Sequence, residues 1–426
     1  MAQAINDYAT WYEATASRGA MRKSVHGIVQ TDVCVVGAGL AGLTTALELA
    51  RLGKKVIVLE ARLIGSGASG RNGGFVSNGF ALGIGDVANR VGRDAARGLY
   101  ELSKRGTEYV RTEIASGDAS IKMGDGWMVA VRHDDHGKLK TYADGLRRNY
   151  EEEVEFFDTA ESRQRLNSPR YFNSYYFPNA FHIHPLRYCL LIAAKAIAVG
   201  AQIFENSAVV SVAKNRAGFV VKTAGGEVCC QHVVHCVSST GRSVHKPSGR
   251  AVLPVATYIA VTEPLQQQSI NTHSAVADTR RAGDYYRLID GGRILWGGKI
   301  TTRISPPTKL AEVMKRDMLS TYPALGNPRI DYAWAGLMGY ALHKMPLIGR
   351  DQLGHWFATA FGGHGLNTTA MAGQLLAAAI ADGDDSYRQF TPFAPVWAYG
   401  QLGRLGVQGT YWWMQFKDKR DESSAI

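Results

Sequence analysis

The most constraining feature of the sequence is a glycine-rich turn between a predicted strand and a predicted helix. Residues 31–36 read T-D-V-C-V-V, a short β-branched run typical of a buried parallel strand. The turn 37–42, G-A-G-L-A-G, follows at once, and an apolar helical segment then runs to Gly53. A second predicted strand, 55–59, leads directly into Glu60. Strand, turn, helix and strand in this order predict a dinucleotide-binding unit.

Each glycine of this turn has its own role in such a unit. The first permits the tight turn, the second lets the backbone approach a pyrophosphate, and the third lets helix and strand pack closely. Amide groups at the start of the helix face the phosphates, and a carboxylate after the second strand binds the adenosine ribose. The residues expected at the cofactor are Gly37, Ala38, Gly39, Leu40, Ala41, Gly42 and Glu60. The turn alone does not distinguish NAD from FAD.

A second glycine-rich stretch follows the ribose-binding strand closely. Residues 65–74 read G-S-G-A-S-G-R-N-G-G, a composition that bends sharply and leaves backbone amides free. A surface loop would have a similar composition, but the position favours a loop that wraps the second half of FAD. The residues expected to contact the cofactor in and before this loop are Ala61, Arg62, Gly67, Ala68, Ser69, Arg71, Asn72, Gly73 and Gly74.

A third glycine-rich turn lies near the C-terminus, between a predicted strand (355–360) and a predicted helix (368–381). Amides and the positive dipole end at a helix start stabilise negative charge, which suits the reduced ring of a flavin. The residues expected there are Gly362, Gly363, His364, Gly365 and Leu366. A purely structural role is the alternative for the histidine.

Ordered segments across nearly the whole chain match one group of flavoenzymes. They are Y-A-T-W-Y-E-A-T (8–15), D-V-C-V-V-G-A-G-L-A-G-L (32–43), V-L-E-A (58–61), G-A-S-G-R-N-G-G (67–74), H-I-H-P-L (182–186), Tyr285-Tyr286-Arg287, Gly297-Gly298, Trp334-x-Gly336, Met345-Pro346 and G-H-G (363–365). On these residues the sequence resembles the D-amino-acid-oxidase-like (DAO) family of FAD-dependent oxidoreductases, and within it the γ-glutamylputrescine oxidase-like branch.

The resemblance implies a flavoprotein that oxidises the C–N bond of an amine or amino acid. Such relatives transfer hydride from the substrate carbon to flavin N5 and release an imine, which hydrolyses to an aldehyde or keto acid. Electrons then pass to O2, giving H2O2, or to another acceptor. The resemblance also implies cofactor contacts at Val209, Val210 and Gly336. At Cys236 the turn C-V-S-S-T departs from the commoner Ala-Thr-Gly, so only a backbone contact is expected there.

The length of 426 residues suggests two or three units. The predicted architecture is an α/β Rossmann-like FAD-binding domain with an inserted α+β substrate domain that contains a mixed or antiparallel sheet, as in the glutathione-reductase-2/DAO-like fold. The FAD-binding domain is predicted to be discontinuous, over 31–115, 180–245 and 335–385, and the substrate domain to span 116–179 and 246–334. Residues 1–30 form an N-terminal extension, and 386–426 form a tail expected to pack on the FAD domain.

Four residues are candidates for the substrate chemistry. Arg287 is the expected anchor, because a guanidinium holds a carboxylate or phosphonate through two hydrogen bonds. The rings of Tyr286, the candidate here, and of its neighbour Tyr285 would border the substrate ammonium, although aromatic residues on strands are more often core. Lys299 resembles the oxygen-activating lysine of sarcosine-oxidase relatives, with a solvated lysine as the alternative. His343 is a candidate base or polar contact near Met345-Pro346, although a lone histidine is more often structural.

The formal net charge of +11 suits nucleic acid, an anionic membrane surface or an anionic small substrate. No separate RNA-binding module is recognisable, so a small anionic amine is expected and nucleic acid is not.

The five cysteines, of which Cys236 is the last, form no disulfide or zinc pattern, so no metal is expected. Noncovalent FAD is the simpler expectation, with attachment through a histidine left open. The start of the chain has no signal peptide and no run reaches the ~18 apolar residues of a membrane span, which predicts a cytoplasmic protein.

The tail contains Trp397, Trp412 and Trp413, followed by three basic residues. Packing against the cofactor domain is the favoured interpretation and contact with a membrane surface the alternative. For the whole chain, an FAD-dependent amine or amino-acid oxidase is the leading hypothesis. A tRNA-modifying flavoprotein and a non-catalytic flavoprotein subunit are the alternatives.

Overall fold

The computed structural model describes residues 9–265, 270–280 and 283–423, so residues 1–8 of the N-terminal extension and 424–426 of the tail lie outside the described residues. The described chain forms two β-sheets and the helices that cover them. The first sheet contains β1 (Gly27–Val36), β2 (Val56–Leu59), β7 (Gln202–Phe204), β8 (Val209–Asn215), β9 (Gly218–Thr223), β10 (Gly226–His235), β16 (Leu347–Arg350) and β17 (Trp356–Thr359). The second contains β3 (Phe75–Val76), β4 (Lys122–Ala130), β5 (Glu155–Phe157), β6 (Ser174–Ile183), β11 (Leu253–Thr262), β12 (Ala275–Asp278), β13 (Tyr285–Ile289), β14 (Arg293–Thr301) and β15 (Ile330–Tyr340).

The described α-helices alternate with these strands along the chain. They are α1 (Trp11–Thr15), α2 (Leu40–Arg51), α3 (Ile84–Val91), α4 (Arg93–Ala115), α5 (Lys138–Tyr150), α6 (Thr159–Leu166), α7 (Pro185–Ala198), α8 (Lys246–Ala251), α9 (Leu310–Thr321), α10 (Gly365–Ala381) and α11 (Gly400–Ser423). Within the described part of the chain, none of the helices combines the length and the apolar character needed to cross a membrane.

The centre of the first sheet is parallel. Its strands β17, β10, β1, β2 and β7 lie side by side in that order, each parallel to its neighbour. Along β1, Val33 and Val35 face one apolar cluster, whereas Cys34 and Val36 face another on the opposite side. A strand covered on both faces has a continuous apolar sequence, which explains the run at 31–36. The predicted Rossmann-like α/β sheet is therefore confirmed.

Three helices, α2, α7 and α10, pack on one face of this sheet. α2 contacts β1 and β2 on one side and the helices α7 and α10 on the other, and α10 also packs on α4. Ten of the twelve residues of α2 are buried, so the helix that begins at the predicted glycine turn is a core element. Its start is consequently held in one position relative to the ends of β1 and β2.

The second sheet is mainly antiparallel and is built from the segments that lie between the parts of the first. Its strands pair in the order β15, β11, β14, β13, β12, β4, β6 and β3, and β12 is parallel to β4. The chain thus alternates between a parallel and a mixed sheet, as the predicted fold class requires. β15 stays in the second sheet as far as Tyr340, whereas the sequence places the change of domain at 335.

The C-terminal tail contacts both sheets. Residues 386–393 form a 3-10 segment against α10 and β16, which is the expected packing on the cofactor side. In contrast, α11 lies on β11 and β14 of the second sheet, where Val407 and Tyr411 pack near Leu253 and Val255. The prediction that the whole tail packs on the FAD domain is therefore corrected. The contact joins segments about 150 residues apart, and nothing in the local sequence pattern of the tail specifies it.

Arg287 is enclosed within the second sheet, with only 1% of its surface exposed. Its Nη2 donates to the carbonyl of Ile183 at 2.8 Å and to the hydroxyl of Tyr12 at 3.1 Å, and its Nη1 donates to Nδ1 of His182 at 2.8 Å. Tyr12 belongs to α1, whereas Ile183 ends β6. The guanidinium therefore fastens the N-terminal extension to the sheet, and the expectation that Arg287 anchors the substrate is corrected.

We expect Arg287→Met to destabilise the fold by about 2–4 kcal/mol, because the carbonyl of Ile183 and the hydroxyl of Tyr12 would lose a charged donor inside the protein. Urea unfolding followed by circular dichroism measures the change. The control is Arg329→Met, whose side chain is 71% exposed and whose loss should leave the unfolding transition nearly unchanged. Unchanged stability together with a raised KM would instead support the substrate anchor.

We expect stability to fall with acidification below pH 6.5, because two buried imidazoles resist protonation. Burial, followed by the charge of Arg287 for His182 and of Arg187 for His184, lowers the pKa of each ring from 6.5 to about 3. Between these values the unfolded chain binds protons that the folded chain excludes, so each ring reduces stability by about 1.4 kcal/mol per pH unit.

His184→Asn tests this dependence for one ring. Asn can still cap α7, where Nδ1 of His184 accepts from the amide of Arg187. The slope of unfolding free energy against pH should decrease by roughly one proton, about 1.4 kcal/mol per pH unit, between pH 6.5 and about 5. His136→Asn, at a side chain 81% exposed, is the control. An identical slope in wild type and His184→Asn would contradict the assignment.

Candidate active site and cofactor cavity

A cavity of about 800 Å³ lies between the two sheets. Its walls come from the carboxyl ends of β1, β2 and β10, from the loop 61–74, from the start of α10, and from strands β11, β13, β14 and β15 of the second sheet. Ligands of open parallel sheets bind at such carboxyl ends. All three glycine-rich segments of the sequence therefore meet in a single space.

The first turn is shaped by close approach to β10. Gly37 has φ +106°, and a Cβ there would lie 2.7 Å from the carbonyl oxygen of Cys236. A side chain is thus excluded both by the backbone conformation and by the neighbouring strand. The amide of Leu40, at the start of α2, donates to Oγ of Ser69 at 3.0 Å. This hydrogen bond joins the first turn to the second glycine-rich loop.

Glu60 lies at the end of the cavity next to β2. Its Oε2 accepts from the amide of Ala38 at 2.8 Å, and its Oε1 accepts from the amide of Arg62 at 3.0 Å. Burial raises the pKa of this carboxyl, while the two amide donors act in the opposite direction. Each carboxylate oxygen still has a lone pair for a further donor, so the position suits a ribose hydroxyl.

The second loop is held by its own side chains. Asn72 donates from Nδ2 to the carbonyls of Ala68 and Ser69, and its Oδ1 accepts from the amide of Gly74 at 2.8 Å. Arg71 lines the cavity although it is 5% exposed. Burial lowers its pKa from 12.5 to about 10, which leaves it a cation at neutral pH. The loop therefore has a fixed shape and places one positive charge at the cavity.

Tyr285 forms the wall of the cavity in the second sheet. Its ring lies between two glycines: a Cβ at Gly73 would approach Cε2 to 2.8 Å, and a Cβ at Gly297 would collide with the ring. Its hydroxyl is 3.3 Å from Oγ1 of Thr257, which also donates to the carbonyl of Gly298. The ring of Phe75 packs edge-on at 5.7 Å.

His364 lies at the start of α10, opposite this aromatic wall. Its Nε2 is 3.1 Å from the carbonyl of Asn78 and 3.0 Å from Oγ of Ser77, and its ring centroid is 6.0 Å from Trp127. A carbonyl only accepts, so Nε2 carries the ring hydrogen and Nδ1 is the acceptor nitrogen. Burial lowers the pKa of His364. A neutral histidine therefore adjoins the aromatic chamber formed by Phe75, Trp127, Tyr285 and Tyr340.

Most of the residues expected at the cofactor line this cavity. They are Gly37, Ala38, Gly39, Leu40, Ala41, Glu60, Ala61, Arg62, Gly67, Ala68, Ser69, Arg71, Asn72, Gly73, Gly74, Val209, Cys236, Gly336, Gly362, Gly363, His364, Gly365 and Leu366. Gly42 does not, because it is buried against the carbonyl of Gly37. Val210 points to solvent with 68% exposure, since neighbouring residues of a strand face opposite sides.

The four residues expected in the substrate chemistry lie outside the cavity lining. Arg287 is two residues beyond Tyr285 on β13, beneath Gly74 and next to α1. Tyr286 faces the other side of that strand, where its ring stacks on Trp296 at 4.5 Å and its hydroxyl donates to Tyr171. The preference for Tyr286 over Tyr285 is therefore corrected by the alternation of the strand.

Lys299 and His343 serve other contacts. The ammonium of Lys299 pairs with Asp317 at 2.8 Å, and the side chain does not line the cavity. Lys299 therefore does not occupy the position expected of an oxygen-activating lysine. His343 accepts from the amide of Met345 through Nδ1, and its ring packs against Phe393 at 5.7 Å. Burial lowers the pKa of His343. Its contacts are those of a structural histidine, and the expected role as base is corrected.

The cavity contains residues that the sequence interpretation did not assign. Phe75 directly follows the second loop, and this position in the sequence already indicates that it lies near the cofactor. Trp127, Thr257 and Tyr340 come from three separate strands. Only the pairing of those strands brings them together, so no local pattern identifies them.

The lining fits FAD at three points. The helix start at Gly39 and Leu40 suits a pyrophosphate, the carboxylate of Glu60 suits a ribose, and the helix start at Gly365 suits the electron-rich edge of a flavin.

Comparison with known proteins agrees with this geometry. The family model described as "DAO: FAD dependent oxidoreductase" matches residues 32–379. A probable oxidoreductase, OrdL, of Haemophilus influenzae is 34% identical over 391 residues, which cover 89% of each chain. The γ-glutamylputrescine oxidoreductase of Escherichia coli is 31% identical over 375 residues, which cover 86% of this chain and 88% of that one.

Solved structures share the fold at low sequence identity. Glycine oxidase from Bacillus cereus has a TM-score of 0.71 at 20% identity, covering 84% of this chain and 97% of that one. L-amino acid deaminase from Proteus vulgaris has a TM-score of 0.71 at 16% identity, covering 88% and 99%. L-α-glycerophosphate oxidase from Mycoplasma pneumoniae, solved with FAD bound, has a TM-score of 0.67 at 15% identity, covering 83% and 95%. The predicted resemblance is confirmed: the chain belongs to the DAO family of FAD-dependent oxidoreductases.

Proposed function

We propose that this enzyme oxidises the C–N bond of a small amine or amino acid. The observation that carries the proposal is the aromatic chamber of Phe75, Trp127, Tyr285 and Tyr340 beside the start of α10. Bound FAD would supply the hydride acceptor at this point. The similarity to γ-glutamylputrescine oxidoreductase supports an amine as the group that is oxidised.

The chamber has the properties that such a reaction requires of the protein. Aromatic faces enclose the carbon chain of an amine and tolerate a cationic nitrogen. At the start of α10, the ring of His364 lies 6.0 Å from that of Trp127, and burial lowers its pKa, which favours the neutral imidazole. The residues here therefore position the amine and exclude water, and the reaction depends on orientation rather than on a charged base.

Arg71 replaces Arg287 as the proposed contact for an anionic group. It lines the cavity, remains positive at neutral pH, and lies close to the middle of β15, where its Nε is 3.4 Å from the carbonyl of Ala335. A substrate with a carboxylate or phosphonate at one end and an amine at the other would satisfy both this cation and the aromatic chamber. γ-Glutamylated polyamines, N-methylated amino acids and aminoalkylphosphonates all carry both groups.

Three further properties belong to this proposal. FAD is held noncovalently, since Cys236 is the last cysteine and burial raises the pKa of its thiol to about 12, which makes it a poor nucleophile. All five cysteines are free, which supports a reducing compartment, the cytoplasm. The electrons pass to O2, giving H2O2, or to another acceptor.

Anaerobic mixing with a panel of amines tests the proposed reaction. We expect one of the three substrate classes to bleach the flavin absorbance at about 450 nm. Later admission of air shows whether O2 is the acceptor. Bleaching by none of the amines would favour a non-catalytic flavoprotein. Salt-sensitive tRNA binding without amine oxidation would favour the tRNA-modifying alternative.

Tyr285→Leu should lower kcat/KM for the amine about tenfold or more while FAD content stays the same, because the aromatic face at the chamber is lost. Tyr285→Phe, which removes only the hydrogen bond to Thr257, is the matched control and should retain activity within about threefold. Stopped-flow reduction under anaerobic conditions measures both variants. Equal rates for Tyr285→Leu and wild type would remove Tyr285 from the substrate wall.

Glu60→Ala should raise the Kd for FAD about 10- to 100-fold, because the ribose loses its carboxylate acceptor and the amide of Ala38 loses its partner. Glu60→Gln, which keeps one acceptor oxygen, should give an intermediate value. Flavin fluorescence titration of the stripped protein provides the measurement, with Glu312→Ala at a 62% exposed side chain as the control. An unchanged Kd in Glu60→Ala would place the ribose elsewhere.

A further inference from the structure

The outer face of α11 is apolar. Leu402, Leu405, Trp412, Trp413 and Phe416 are 60–75% exposed. At 100° per residue, these five positions fall within an arc of about 100° on the helix surface. The tail therefore has a regular helical spacing of apolar residues, which the sequence interpretation did not recognise.

The opposite face of α11 fixes this orientation. Val407 and Tyr411 pack on the second sheet, and Oε1 of Gln408 accepts from the hydroxyl of Thr301 at 2.7 Å and the amide of Thr302 at 2.9 Å. Val407 and Tyr411 lie about 150–170° around the helix from the centre of the apolar face, and Gln408 lies about 90° from it. Rotation of the helix to bury the tryptophans would break those contacts, so the apolar face stays outward.

Exposed apolar side chains are concentrated at this helix. Of the sixteen large hydrophobic residues that are exposed in the described chain, eight lie between residues 396 and 416. Besides the five on the outer face of α11, they are Val396, Trp397 and Tyr399. Single exposed apolar residues need no explanation, whereas a contiguous patch marks an interaction surface.

The surroundings of the patch are basic. Residues 386–416 contain no Asp or Glu. Three exposed arginines flank the first half of α11. Arg242 lies near Arg404, the carbonyl of Arg250 accepts from the amide of Ala398, and Arg303 follows Thr302, whose carbonyl accepts from Arg404. Acidic residues of α11 are confined to its last turns, where Glu422 pairs with Arg280 and Asp421 with Arg420.

We propose that this face of α11 docks on an anionic lipid membrane, with the tryptophans and leucines at the level of the headgroups and the flanking arginines on the lipid phosphates. A second copy of the chain fits poorly, because a symmetric contact would place each basic rim against the same rim of its partner. Bulky apolar and aromatic side chains project outward from α11, as they do on helices that lie in a membrane interface. The docking is independent of the proposed amine oxidation.

Flotation of the FAD-loaded full-length enzyme with lipid vesicles tests the proposal. We expect binding to vesicles that contain about one-third phosphatidylglycerol, release at high salt, and at least about tenfold less binding to pure phosphatidylcholine. Equal binding to both vesicle types, or binding to neither, would overturn the proposal.

Two sets of variants separate the apolar and the electrostatic contributions. W412Q/W413Q/F416Q should reduce the vesicle-bound fraction at least about tenfold, whereas M21Q/L353Q, at residues 68% and 61% exposed elsewhere, should leave it within about twofold. R242Q/R303Q should reduce binding to anionic vesicles about tenfold. Amine turnover in free solution should be equal in all of them, which keeps a failure here separate from a failure of the proposed reaction.

The oligomeric state provides the remaining test. Light scattering after size exclusion should give the same mass for wild type and W412Q/W413Q/F416Q. A dimer that dissociates in this variant would show that a second copy of the chain covers the face, and would overturn the membrane assignment.

Discussion

The parallel ladder of β10, β1 and β2 is the constraint on which the rest of the structure depends. Val36 pairs with His235 and with Leu59, so the three strands end at the same level. The amide of Cys236 then donates to the carbonyl of Val36, and the amide of Gly37 donates to the carbonyl of Leu59. These two hydrogen bonds leave no room for a side chain at Gly37. They set the position of the first turn and, through it, the start of α2 and the end of the cavity that holds Glu60.

The cofactor half of the site could be predicted from the sequence because its determinants are local. Each glycine-rich segment follows a predicted strand and precedes a helix or loop, and the chemistry of phosphates requires backbone amides at such places. Twenty-three of the twenty-five residues expected there line the cavity. The two exceptions are Gly42 and Val210. Each directly follows a residue that does line the cavity, Ala41 and Val209 respectively. A strand or helix pattern therefore predicts which segment reaches the cavity more reliably than it predicts the direction of a single side chain.

The proposed substrate half of the cavity could not be predicted in the same way, because it is assembled from strands far apart in the sequence. Tyr285 and Tyr286 are adjacent and chemically identical, and only the pairing of β13 with its neighbours decides which ring faces the cavity. Arg287 was a reasonable candidate by chemistry, yet it is used to hold α1 against β6. Trp127, Thr257 and Tyr340 lie on β4, β11 and β15, and their convergence is a property of the sheet order alone.

The position of the Tyr285 ring between Gly73 and Gly297 has a thermodynamic consequence. Gly73 belongs to the loop that lines the cofactor cavity, whereas Gly297 belongs to the same sheet as Tyr285. Because Asn72 already holds this loop in one shape, the ring is confined from both sides before any ligand binds, and little conformational entropy remains to be lost there on binding. The ordering of this wall therefore belongs to the free energy of folding and is not subtracted from the free energy of binding.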